Sequence, residues 1–273
     1  MLLVLPIAAM AQAKIQTKRY IISDLPQKSM KVVLTGNEIF DLAYRECIHE
    51  IWHLGPYEFC DAKEFESLKK SADYYFLALT ETRQEQEEKA GIRSLVLFKG
   101  KDTAAQGFDG LYKVASLPFC AADGTDGKEL EVMPVLLSYF QEEVGRMMKN
   151  PVNLSSNIGA QTRFGGSKWN CSIYVDRDDL AFEPGTSLTA VYADENIHFV
   201  DFKKYMDVLA NCPDDGLVCY VVAPFFPTEG AVSYTMVLDI RKRQILYMQN
   251  HKITPSAPRG VLQKEMKTLI SRN

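Results

Sequence analysis

The chain lacks a block of basic residues. Its 273 residues carry 31 Lys and Arg against 35 Asp and Glu, a net charge of −4. Such a balance excludes the phosphate-neutralising surface that a nucleic-acid partner requires. Past the first ten residues it also lacks any apolar run long enough to cross a bilayer. No C-x-x-C occurs, which disfavours a thioredoxin-like redox site and a zinc ribbon. Neither G-x-S-x-G nor G-x-G-x-x-G occurs, so a hydrolase elbow and a dinucleotide loop have no support.

What is present is an ordinary globular composition, 47% apolar and 24% charged. Fourteen Phe and 13 Tyr favour a packed core with strands. The six cysteines are Cys47, Cys60, Cys120, Cys171, Cys212 and Cys219. An even count in an exported chain permits disulfides in several pairings. Cys60, Cys171 and Cys219 lie in strand-like runs, where a free thiol acts as a small buried apolar group.

Residues 1–13 read as a signal peptide. Met1 to Met10 is an apolar run of the right length, and Ala11-Gln12-Ala13 supplies the small side chains that signal peptidase needs. The mature chain then begins at Lys14, in the periplasm or secreted. No Lys or Arg precedes the apolar run, and no Cys follows it before Cys47, so a lipid anchor is not expected.

Along the mature chain, Val32–Thr35 reads as a strand. Asn37 to Trp52 has helical spacing until Gly55-Pro56 stops it. Tyr57–Asp61 is extended, Ala62–Ser71 is a short helix, and Tyr74–Thr80 and Ile92–Lys99 are strands joined through the charged tip Gln84–Lys89. Leu130–Lys149 carries one apolar stripe and reads as a helix opening the second half. An irregular insertion near 150–185 and a strand at Ser187–Ala193 follow. Leu217–Ala223 is a strand, Tyr234–Asp239 and Gln244–Gln249 form a hairpin, and Val261–Ser271 closes as an amphipathic helix.

Two stretches in the two halves echo each other: Phe59-Cys60-Asp61-Ala62-Lys63 and Phe199-Val200-Asp201-Phe202-Lys203. Asp61 and Asp201 each stand where a helix N-cap belongs. Ile92–Phe98 and Val232–Leu238 keep the same offset. The expected fold is α+β. It has two similar α-β-α-β-β halves, 14–116 and 117–273, with mainly antiparallel sheet and a C-terminal helix.

One motif carries chemistry. His49-Glu50-Ile51-Trp52-His53 fits H-E-x-x-H, which on a helix puts two imidazoles on one face to grip zinc, with Glu50 as general base. It resembles the zinc metallopeptidases over these five residues. Gly55-Pro56 places the motif in the last turn, and the third ligand would have to be Glu64 or Glu66. A plainer reading has both histidines interacting with the helix C-terminal dipole. Asp123-Gly124-Thr125-Asp126-Gly127 with Glu129 does not have EF-hand spacing and reads as a turn. Arg163-Phe164-Gly165-Gly166-Ser167-Lys168 reads as a loop without P-loop spacing. Ala223-Pro224-Phe225-Phe226-Pro227 offers either a binding edge or a strand end.

In style the chain looks like exported proteins of unknown function of the Bacteroidetes type. That likeness covers most of the mature chain, rests on no diagnostic motif and implies no activity. The expectation is therefore a soluble, non-catalytic envelope protein without cofactor, binding other envelope proteins or cell-surface components. The alternative is a zinc-dependent hydrolase built on His49, Glu50 and His53.

Overall fold

The computed structural model describes residues 22–83, 87, 89–149, 169–182, 195–228 and 230–272. The signal segment 1–13, the loop 163–168, the strand expected at 187–193 and most of the charged tip after residue 83 lie outside them.

The first unit begins with β1 (Ser29–Val33), α1 (Glu38–Ile51), β2 (Tyr57–Cys60) and α2 (Ala62–Leu68). It continues with β3 (Tyr74–Thr82), β4 (Ile92–Lys99), β5 (Tyr112–Ala121) and the long helix α3 (Lys128–Lys149). In the second unit the described elements are β6 (Ser172–Asp176), β7 (Ile197–Val200), α4 (Phe202–Ala210), β8 (Gly216–Val222), β9 (Val232–Asp239), β10 (Gln244–Lys252) and α5 (Gln263–Arg272). The fold is α+β with two similar halves and a C-terminal helix.

Both sheets have the same topology. The first runs β2-β1-β3-β4-β5 and the second β7-β6-β8-β9-β10. Each is mixed. β1 lies parallel to β2 and β3, and β6 lies parallel to β7 and β8. The remaining neighbours are antiparallel. The antiparallel part was legible as hairpins. The parallel part arises because α1 and α2 serve as crossover connections, which parallel neighbours require.

Strand pairing fixes the repeat register. Val33 is paired with Cys60 and Asp176 with Val200, so these two positions are equivalent. The caps hold as expected: Asp61 Oδ1 accepts from Glu64 N at 2.7 Å, and Asp201 Oδ1 from Lys204 N at 2.8 Å. Two strands had no counterpart in the sequence reading. β5 contains Pro118, which an edge strand tolerates. β6 lies within the stretch taken for an irregular insertion. The boundary expected at 116/117 falls within β5, and α3 follows the first sheet's last strand.

The helices form layers. Tyr44 and Ile48 of α1 pack on one face of the first sheet, while Phe65 of α2 packs with Val33, Phe76 and Ala78 on the other. One core spans both units. It joins Val132, Leu136 and Phe140 of α3 to Tyr205 and Val208 of α4 and to Val218, Tyr220 and Met236 of the second sheet. Met266 and Leu269 of α5 cover that sheet's outer face with Cys219 and Val237. The units therefore stack head to tail: the α1/α3 face of the first meets the α4 face of the second. On the corresponding outer face of the first unit, the β4–β5 connection supplies cover. Its Phe108 ring lies 5.0 Å from Phe98 and 4.5 Å from Phe65. In the second unit that connection shrinks to a tight hairpin turn, because α3 already covers the face.

Candidate functional site

β1 ends at Val33, and after Leu34 and Thr35 the chain must turn at once into α1. Gly36 makes the turn at φ 84°, where a side chain would be strained. The Asp41 carboxylate accepts from Thr35 N, Thr35 Oγ1 and Gly36 N at 2.9, 2.8 and 2.9 Å. Asn37 Oδ1 caps α1 by accepting from Phe40 N at 3.1 Å. From this point α1 leads to β2 on one side of β1, and α2 returns across it to β3 on the other. Such a switch point leaves a crevice outside the carboxyl ends of the strands.

A cleft of about 710 Å³ opens there. Its apolar walls include Val33, Ile39, Phe40, Phe65, Leu79 and Phe108. Ile39, at 75% exposure, and Leu42, at 62%, lie one helical turn apart on α1, and Ile39 forms part of the cleft wall. Four charged side chains also line it: Glu66, Glu81, Arg93 and Glu129. Glu66 is committed, pairing with Lys69 Nζ at 2.6 Å and accepting from Gly107 N at 3.2 Å. Glu81 and Arg93 stand directly opposite in the β3–β4 ladder. Glu129 is buried, and its Oε1 accepts the Thr125 hydroxyl proton. Among the described residues Glu81, Arg93 and Glu129 have no ion-pair partner. The Cys120 thiol in the wall is pushed up to about 12 by burial, so it stays protonated at neutral pH.

Among the described residues, the equivalent place in the second unit is occupied by a lysine of the chain. Asp176, the counterpart of Val33, is fully buried at the end of β6. Lys128, the first residue of α3, reaches in from the first unit. Its Nζ lies 2.7 Å from Asp176 Oδ2 and 2.8 Å from Asp179 Oδ2, with Asp126 Oδ2 at 3.4 Å. The ammonium sits over the rings of Tyr205 at 5.0 Å and Phe202 at 5.6 Å. Burial alone would lower the Lys128 pKa, but the Asp179 and Asp176 carboxylates outweigh it and hold the amine charged.

The H-E-x-x-H motif is split by the end of α1. His49 is in the last turn of α1, whose C-cap is Trp52, so His53 lies beyond the helix. His49 Nδ1 shares a 2.7 Å hydrogen bond with Tyr57 Oη. Glu50 pairs with Arg243 of the second unit at 2.5 Å. The His53 backbone N–H donates to Gln141 Oε1. The suggested third ligands are engaged too, Glu64 with Lys31 at 2.7 Å and Glu66 with Lys69. Among the described residues no group of three or more His, Cys, Asp or Glu stands close enough to hold a metal ion. The helix ends before His53, so the i, i+4 helical spacing on which the zinc reading was built is not kept.

The other candidates have structural posts. Asp123 accepts from Phe225 N and Phe226 N at 2.9 and 2.7 Å, tying the Ala223–Pro227 segment to the loop before α3. Asp126 accepts from Lys128 N at 3.1 Å. All six cysteines are free thiols. Sequence reading missed Glu81 and Arg93, and it singled out Glu129 only beside the turn at Asp123–Gly127, not as part of this cleft. The one available signal was the strand–Gly–Asn–helix punctuation at Thr35–Asn37, which marks the switch point. Compared with family models, with curated proteins and with solved structures, the chain finds no match.

Proposed function

We propose that this chain is an exported, non-catalytic binding protein and that its ligand site is the cleft at the carboxyl end of β1. The observation that carries the reading is the contrast between two equivalent crevices. The second is plugged by Lys128, and the first is left open with apolar walls and a few charged groups, the usual make-up of a ligand pocket. The protonated Cys120 thiol and the turn-bracing hydrogen bonds of Asp41 favour binding over covalent chemistry. Export is supported by the apolar run and the Ala11-Gln12-Ala13 site, and the partners fit other envelope proteins or cell-surface components.

The test uses N-phenyl-1-naphthylamine, an uncharged dye that fluoresces in apolar surroundings. Ala62 lines the cleft and is solvent-exposed, so Ala62→Trp narrows the opening without disturbing the core. Dye binding should fall at least fivefold in Ala62→Trp while the thermal midpoint is unchanged. Equal dye binding by both proteins would refute the assignment.

A further inference from the structure

Building on the cleft as the binding site, we infer that its ligand carries a primary ammonium group on an apolar stem. Three observations converge. First, with Glu66 committed to Lys69, the charged lining that remains is two carboxylates, Glu81 and Glu129, against one cation, Arg93. Second, Glu129 is 9% exposed and, among the described residues, has the Thr125 hydroxyl as its one hydrogen-bond partner. A buried carboxylate without a counter-ion is costly, and a cation entering the cleft would relieve that cost. The contrast with α5 sharpens this. Lys128-Glu129 opens α3 as Lys264-Glu265 lies at the start of α5, yet Glu265 has an imidazole partner in His251, at 3.4 Å, which is cationic when protonated.

Third, the molecule already contains an ammonium in a crevice of this kind. Lys128 places its charge between two aspartates at the switch point of the second sheet, over the rings of Tyr205 and Phe202. Phe65 holds the position equivalent to Tyr205, each being the fourth residue after its capping Asp, and lines the open cleft. In the first unit Val33 replaces Asp176, so no lysine of the chain fills the place, and the carboxylates come instead from β3 and α3. A ligand ammonium would go to Glu129 and Glu81, with its alkyl stem against Phe40, Leu79 and Leu130. Arg93 is then a like charge that weakens binding.

The chemistry fits a free alkylamine or the side chain of a lysine in a peptide, and calorimetry on the full chain separates them. The probes are hexylamine, hexanol, hexanoate and N-acetyl-lysine methylamide. Hexylamine should bind at least tenfold more tightly than hexanol or hexanoate, and less tightly as salt is raised. Glu129→Gln should weaken it at least tenfold and the exposed Glu81→Gln about threefold, whereas Arg93→Met should tighten it. Tighter binding of the lysine derivative assigns the ammonium to peptides, and tighter binding of hexylamine assigns it to small amines. Hexanoate binding as tightly as hexylamine, or loss of affinity in Arg93→Met, would overturn the inference. Should Glu129→Gln fail to fold, Glu81→Gln and Arg93→Met still decide. If hexylamine fails while the dye binds and Ala62→Trp blocks it, the amine inference falls and the cleft stands. If the dye fails as well, both fall.

Discussion

Lys128 shows how much one side chain can decide. It opens a surface-length helix and is 3% exposed, with Asp176 and Asp179 around it equally buried. Such a group is held by its partners, and removing it leaves two carboxylates uncompensated. Lys128→Met is expected to cost about 3–5 kcal/mol, read as a fall in the urea midpoint. A smaller charged site sets a pH dependence. Burial lowers the pKa of His251, but Glu265 and the Pro258 carbonyl outweigh it and raise the net value above 6.5. Burial raises that of Glu265, but His251, Leu262 N and the Thr235 hydroxyl outweigh it and lower the net value below 4.5. The His251 contribution is complete below pH 6.5 and fades as pH rises through the raised value. The Glu265 contribution is complete above pH 4.5 and fades as pH falls through the lowered value. The Tm deficit of His251→Gln should therefore be larger at pH 5.5 than at pH 9. An equal deficit at both would show that the pair contributes no charge interaction.

At the scale of elements, helix ends and close approaches carry the local specificity. The caps Asp61 and Asp201 hold equivalent helices, and each Asp→Ala change should cost about 1 kcal/mol. Two similar losses in chemical denaturation would follow from the duplication, while a loss at one site alone would break the equivalence. Gly260 has φ 103°, and a Cβ there would collide with the Asp179 carbonyl oxygen. The backbone at this point is bonded, Val261 N donating to Asp179 O at 2.8 Å. Gly260→Ala should destabilise by more than about 1 kcal/mol and loosen the plugged crevice. α1 and its cap were readable from apolar spacing and Asn37, since both are local signals. β5 was not: its Pro118 and its long approach loop obscure the alternation, and only pairing with β4 defines it.

At the scale of the whole molecule, the two units share one core through α3, and Tyr220 Oη donates to Phe119 O across the join at 2.8 Å. They should unfold together. Trp52 packs in the shared core and Trp169 against the outer one, so each tryptophan reports on a different unit. Trp169→Phe and Trp52→Phe variants should give fluorescence midpoints that match their own far-UV circular dichroism midpoints. Separate fluorescence and dichroism transitions within one variant would mean that the units melt independently. The Glu50–Arg243 pair also bridges the units, but both side chains are solvent-accessible. A double-mutant cycle of Glu50→Gln and Arg243→Met should give a coupling below about 1 kcal/mol.

The sequence by itself determined the α+β class, the echo between the halves, most helices and the hairpin strands, because each is written in neighbouring residues as spacing, caps and breakers. The tertiary structure decided the mixed strand order, the place of α3 between the sheets and the fate of the H-E-x-x-H residues. Above all it decided which switch point is open. That outcome depends on Lys128 meeting Asp176 from a distant part of the chain, and on Glu81, Arg93 and Glu129 arriving from three separate elements. Contacts between distant parts of the chain leave no local periodicity to read, so a charged helix-start residue and an interior plug look alike until the chain is folded.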